Sequence, residues 1–157
     1  MFGFNSKNII IAAPMDGVVI PVSKLSDPVF SENILGHGVA IKPASGYVKA
    51  PAKAVVSQMF STGHAVSLLT DSGVELLIHV GIDTVQLKGN HYKILKNNDE
   101  KVDIGDILME FDADAISADG YDTVTPVVVC NMYAYKDISF APEGYIKAGE
   151  PLITIKT

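Results

Sequence analysis

A single cysteine, Cys130, leaves this chain without an internal disulfide and without the ligands for a cysteine-based zinc site. Disulfide-built secreted scaffolds are thereby excluded, and Cys130 is expected to be a small buried apolar side chain. Basic residues are also scarce, 12 against 18 acidic ones, for a net charge of -6. Without clustered Lys and Arg the chain is poorly suited to phosphate backbones, so nucleic acid is excluded as the main partner. A basic protein partner fits better, because complementary charge speeds encounter. Long apolar runs are missing too. Stretches such as Ile9 to Pro14 and Val124 to Cys130 fall well short of the roughly 20 residues a spanning helix needs. The polar start, Met1 to Asn8, does not read as a signal peptide. No linker or low-complexity tract interrupts the sequence. These absences describe a cytoplasmic chain that does not span the membrane, with residues 1–8 as a short tail and 9–157 as a single domain.

What is present is ample apolar material. Hydrophobic residues make up 48% of 157, enough for a proper core. They fall in short runs separated by Gly, Pro, Asp, Asn and Ser, the spacing of an all-β sandwich or barrel. Tyr92 to Lys96 and Asp114 to Ala118 are the exceptions, each long enough for one helical turn. Weak internal repetition supports a body built from repeated hairpins. Pro14 to Val19, Pro43 to Val48 and Ala141 to Ile146 share a Pro, a turn Gly and a following strand. Val102 to Leu108 echoes Ile146 to Leu152, each reading as a strand, a Gly-acid turn and a second strand.

The stretch from Ser61 to Thr84 places two of the four histidines on neighbouring strands. Strand-like runs flank Asp71-Ser72-Gly73, so they should form an antiparallel hairpin. A two-residue loop at Asp71-Ser72, or a four-residue loop from Thr70 to Gly73, sets His64 directly opposite His79, with Cβ atoms roughly 4.5–5.5 Å apart. A three-residue loop shifts the register by one and sends the two rings to opposite faces. In the even-loop register Val74, Leu76, Ile78 and Val80 face the core. His64, Val66, Leu77 and His79 share the other face, an apolar patch suited to docking. His37 and His91 read as loop or surface residues.

The segment Ser72-Gly73-Val74-Glu75-Leu76-Leu77-Ile78-His79-Val80-Gly81-Ile82-Asp83-Thr84-Val85 closely resembles the phosphorylation-site motif of glucose-family IIA domains of the bacterial sugar phosphotransferase system. Thr62-Gly63-His64-Ala65 is similar to the segment holding that family's second histidine. Further matches run from Ala13 to Gly17, from Gly36 to Pro43 and from Thr125 to Asn131, so the resemblance covers roughly residues 9 to 156. It implies an antiparallel β-sandwich or flattened barrel with only short helical turns. It implies a transferase with a phosphohistidine intermediate: the phosphocarrier HPr donates to His79, and a IIB domain accepts on the way to the sugar. By position, His79 Nε2 is the nucleophile, His64 binds the phosphoryl oxygens and Thr62 orients His64. The Gly81 carbonyl holds the His79 Nδ1 proton, and Asp83 meets basic partner residues. Val66, Leu77 and Phe60 stand at rim positions. Where the family usually has Asp between two glycines this chain has His37, which should weaken one docking contact.

The resemblance also implies binding to other metabolic or transport proteins according to phosphorylation state. It implies no required cofactor. A partner carboxylate could complete a shared zinc site with His64 and His79. A zinc hydrolase on a related β scaffold is the alternative, but the sequence has no His-x-His pair. A biotinyl or lipoyl carrier would need a Lys at a hairpin tip, and none is set that way.

Overall fold

A computed structural model describes residues 8–156. Its strands, in chain order, are β1 (Ile9–Ala12), β2 (Gly17–Pro21), β3 (His37–Pro43), β4 (Tyr47–Lys49), β5 (Ala54–Met59), β6 (Ala65–Thr70) and β7 (Glu75–His79). They continue as β8 (Tyr92–Ile94), β9 (Lys101–Val102), β10 (Ile107–Phe111), β11 (Thr125–Val129), β12 (Asp137–Phe140), β13 (Gly144–Ile146) and β14 (Pro151–Lys156). Two α-helical segments are short: α1 (Pro28–Ser31) and α2 (Ala113–Ala118). The expected tail falls on residues 1–8, of which 1–7 lie outside the described residues.

The strands form one eight-stranded sheet, ordered β13-β2-β3-β11-β7-β6-β5-β9, and two three-stranded sheets, β1-β14-β12 and β4-β10-β8. The pairings are antiparallel, as the sequence predicts. All three sheets feed one apolar core. Leu68, Leu76, Ile78 and Val127 come from the large sheet, Ile11 and Ile153 from one small sheet, Leu108 and Met109 from the other. The opposite face of the large sheet carries a smaller cluster of Phe30, Ala65, Leu77 and Val128, and this face bears the site.

Several sequence-based expectations change. Tyr92 to Ile94 is a strand, not a helical turn, whereas Ala113–Ala118 is helical. The two echoing segments are corners rather than hairpins: β9 and β10 belong to different sheets, as do β13 and β14. The echo itself is real. In each corner an acidic side chain accepts from the backbone N–H three residues earlier, Asp106 from Asp103 at 2.9 Å and Glu150 from Lys147 at 2.7 Å. A glycine with φ near +90° completes each turn. Cys130 is exposed, because it lies just beyond the end of β11.

The hairpin between β6 and β7 has the odd loop, not the even one. Val66 pairs with Ile78 and Leu68 with Leu76, so Ala65 stands opposite His79. Asp71, Ser72 and Gly73 form a three-residue loop closed by Gly73 N–H to the Thr70 carbonyl at 2.9 Å, with Gly73 at φ 92°. The Thr70 hydroxyl accepts from Val74 N–H at 2.9 Å and holds this geometry. Val66 therefore faces the main core at 0% exposure and is no part of a docking rim. Ala65 and Ser67 take the outward positions.

Val66→Ala should accordingly lower the unfolding free energy by roughly 2 kcal/mol, through lost burial and a residual cavity. Ser67→Ala on the outer face should stay within about 0.5 kcal/mol. Urea unfolding of the two variants tests the register. Equal, small losses would contradict the core placement of Val66.

Candidate functional site

His79 ends β7, and His64 sits immediately before β6, in the bend that follows Ser61. Because His64 precedes the strand, strand alternation does not dictate its direction. Gly63, at φ 73°, turns the chain there. Val80 N–H donates to the His64 carbonyl at 2.7 Å and ties the bend to the end of β7. The result is an edge-to-face pair of imidazoles, centroids 4.9 Å apart and planes at 79°. The rings meet, as expected, but through the bend and not through the predicted cross-strand register.

Aromatic rings flank the pair on both sides. Phe60 lies 5.5 Å from His64 and Phe30 lies 5.4 Å from His79. Leu77 and Ala65 form the floor, with Leu25 and Ile82 packed beside it. Phe30 was not singled out from sequence, although Asp27-Pro28 is a readable helix start. The Asp27 carboxylate accepts from Val29 N–H at 3.0 Å, and the resulting turn, α1, delivers Phe30 onto His79.

Each imidazole has its Nδ1 engaged. His79 Nδ1 lies 2.7 Å from the Gly81 carbonyl oxygen. A carbonyl only accepts, so the proton is on Nδ1 and Nε2 carries a lone pair. His64 Nδ1 contacts the Thr62 hydroxyl. Gly81 has φ 90°, and a Cβ there would collide with the Thr84 side chain and stand 3.0 Å from the Asp122 carbonyl oxygen. Only glycine lets this carbonyl turn back onto His79.

Burial keeps both rings neutral. His64 is 4% exposed, and desolvation, helped by the neighbouring His79, lowers its pKa to about 4. Desolvation also lowers that of His79, against the opposing pull of the Gly81 hydrogen bond and the Asp27 and Asp83 carboxylates. Asp83 is exposed at φ 60°, just after Gly81 and Ile82, where a side chain points to solvent.

The other two histidines stand elsewhere. His37 opens β3, exposed, paired with Val129, whose other neighbour is Leu76. That puts it two strands away from His79 and three residues along, roughly 14 Å by strand spacing and rise. His91 pairs with the Asp119 carboxylate at 2.7 Å. Among the described residues no group of three or more His, Cys, Asp or Glu is gathered to hold a metal. No helix among them is long and apolar enough to cross a membrane.

The family model of the phosphoenolpyruvate-dependent sugar phosphotransferase system, EIIA 1, matches residues 9–135. The chain belongs to this EIIA family. It is 41% identical over 150 residues to the PTS system glucose-specific EIIA component of Buchnera aphidicola, covering 96% of this chain and 92% of that protein. It is 39% identical over 147 residues to the PTS system glucose-specific EIICBA component of Staphylococcus carnosus, covering 94% of this chain but 22% of that protein. Glucose permease IIA from Mycoplasma capricolum superimposes with a TM-score of 0.90 at 34% identity, over 98% of this chain and 99% of that one. The EIIA chain is thus a phosphocarrier domain of a sugar phosphotransferase system, a transferase component built as an antiparallel β-sandwich.

The His64 shift has a defined consequence for stability. Unfolded, His64 takes a proton near pH 6.5; folded, near pH 4. Below pH 6.5 the unfolded chain therefore binds a proton that the native chain does not, and stability falls until about pH 4. The full effect is about 3 kcal/mol. His79 shifts in the same direction and adds to it. Urea unfolding between pH 7 and pH 4 should show a shallower decline for His64→Gln than for the unaltered chain; equal slopes would contradict a buried neutral His64.

Proposed function

We propose that His79 Nε2 is the atom that carries the phosphoryl group, received from HPr and passed to a IIB domain. The observation that carries this reading is the His79 Nδ1 hydrogen bond to the Gly81 carbonyl, which leaves Nε2 as the free nucleophile. The lone pair attacks phosphorus on the phosphohistidine of HPr. A new P–N bond forms as the old one breaks, and its electron pair returns to the donor imidazole. His79 gains positive character, which strengthens the Nδ1–H bond to Gly81.

His64 supplies charge stabilisation. With the Thr62 hydroxyl donating to Nδ1, the His64 proton sits on Nε2 and points its N–H at the phosphoryl oxygens. Phosphoryl transfer runs through a loose transition state, so alignment and donors of this kind carry most of the catalysis. Leu77, Phe60, Phe30 and Ile82 exclude water from the P–N bond while a partner is docked. Exposed Asp83 meets basic residues of that partner.

A IIB acceptor is supported by the relatives in which an EIIA segment shares a chain with B and C segments, as in the S. carnosus EIICBA component and the beta-glucoside-specific EIIBCA component of Halalkalibacterium halodurans. These work on the cytoplasmic side in this reading, and the sugar is chosen outside this domain. A phosphoryl group on His79 adds roughly -1.5 to -2 charge to an apolar surface, which gives other proteins a means of telling the two states apart.

Incubation with phosphoenolpyruvate, enzyme I and HPr should raise the intact mass by one phosphoryl group, acid-labile and base-stable, and His79→Ala should abolish the gain. Full labelling of that variant would overturn the assignment. His64→Gln should still be phosphorylated by HPr and should fail chiefly in transfer to IIB. Equal loss in both half-reactions would contradict separate roles for the two histidines.

A further inference from the structure

Tyr92 opens β8, remote in sequence from both histidine segments, yet it touches both. Its hydroxyl donates to the Val80 carbonyl at 2.8 Å. The Thr84 hydroxyl donates to the same oxygen at 2.7 Å. That oxygen belongs to the Val80–Gly81 peptide, whose N–H donates to the Val124 carbonyl at 3.1 Å. The peptide is thus held at both ends, and the next carbonyl along, that of Gly81, receives the His79 Nδ1 proton.

The other end of the Tyr92 side chain serves the second histidine. A Cβ built on Gly63 would stand 3.0 Å from the Tyr92 Cβ, so Gly63 seats directly against it. Gly63 is the left-handed residue between Thr62 and His64. One side chain therefore braces the peptide that sets the His79 tautomer and the bend that aims His64.

We propose that Tyr92 is a positioning residue for phosphoryl transfer, holding the His79–Gly81 turn and the Thr62–His64 bend in the one arrangement that aligns the two imidazoles. The inference rests on His79 as the phosphoryl acceptor. Two donors on one carbonyl leave it no freedom to swing. With one donor the carbonyl stays satisfied, so the fold survives, but the peptide plane gains a rotation that Gly81, with no Cβ, does not resist. Small misplacements of that kind are costly in a reaction that depends on alignment. Burial pushes the phenol further above its usual value, so at neutral pH it remains a donor.

The test uses Tyr92→Phe in the full 157-residue chain. This variant keeps the Cβ against Gly63 and removes only the hydroxyl. Ring 15N shifts report the His79 tautomer, and transfer from phosphorylated HPr gives kcat and KM separately. The expected result is a measurable Nε2–H population on His79 and a kcat lower by roughly three- to tenfold, the worth of one hydrogen bond, with KM unchanged. Tyr92→Leu, which keeps the Cβ against Gly63 but also removes the ring from the packing around it, should lose more. A Tyr92→Phe protein with the original tautomer and kcat, or with its whole loss in KM, overturns the proposal. If the unaltered chain takes no phosphoryl group from HPr, the functional reading fails instead, while the tautomer comparison still decides whether Tyr92 orients His79.

Discussion

The hydrogen bond between His79 Nδ1 and the Gly81 carbonyl decides which imidazole nitrogen carries a lone pair, and the rest of the site is arranged around that choice. A neutral imidazole holds one proton, so fixing it on Nδ1 leaves the lone pair on Nε2. The bond needs a carbonyl folded back over two residues. That conformation requires a positive φ at Gly81 and leaves no space for a side chain there. Val80 stands between the two partners and is tied on both sides, by its N–H to His64 and by its carbonyl to Thr84 and Tyr92. The same three-residue turn thus orients one histidine and anchors the other.

Dryness is the second requirement, and it comes from packing. Phe30 and Phe60 close the two ends of the imidazole pair, and the large sheet closes it from beneath. Desolvation then favours the neutral form of both rings. Asp27 and Asp83 pull against this for His79 alone. The proposed division of labour, with positive character developing on His79 and His64 staying neutral, would use this asymmetry.

Much of this is legible in the sequence. Short apolar runs between turn residues identified an antiparallel β body, and the long motif around His79 identified the family. The hairpin register was misjudged by one residue, because Asp71-Ser72-Gly73 admits both odd and even loops and only the Thr70 contacts distinguish them. Val66 was misplaced with it, since a one-residue slip reverses every face. The histidines met regardless, because Gly63 frees His64 from strand alternation, and a bend of that kind has no periodic signature. Phe30 and Tyr92 were missed for another reason: they reach the site from distant segments through α1 and β8, and only the fold brings them there. The corner turns misread as hairpins show the same limit, for a strand-turn-strand pattern does not say whether the second strand returns to its own sheet.

The proposed roles require two neutral imidazoles that carry their protons on different nitrogens. Ring 15N spectra of the unphosphorylated chain, recorded from pH 7.5 down to pH 5, test this requirement. His79 should appear as the Nδ1–H tautomer and His64 as the Nε2–H tautomer at pH 7.5, with His64 still neutral at pH 5. A His79 proton on Nε2, or a His64 ring that is cationic at pH 6, would contradict it.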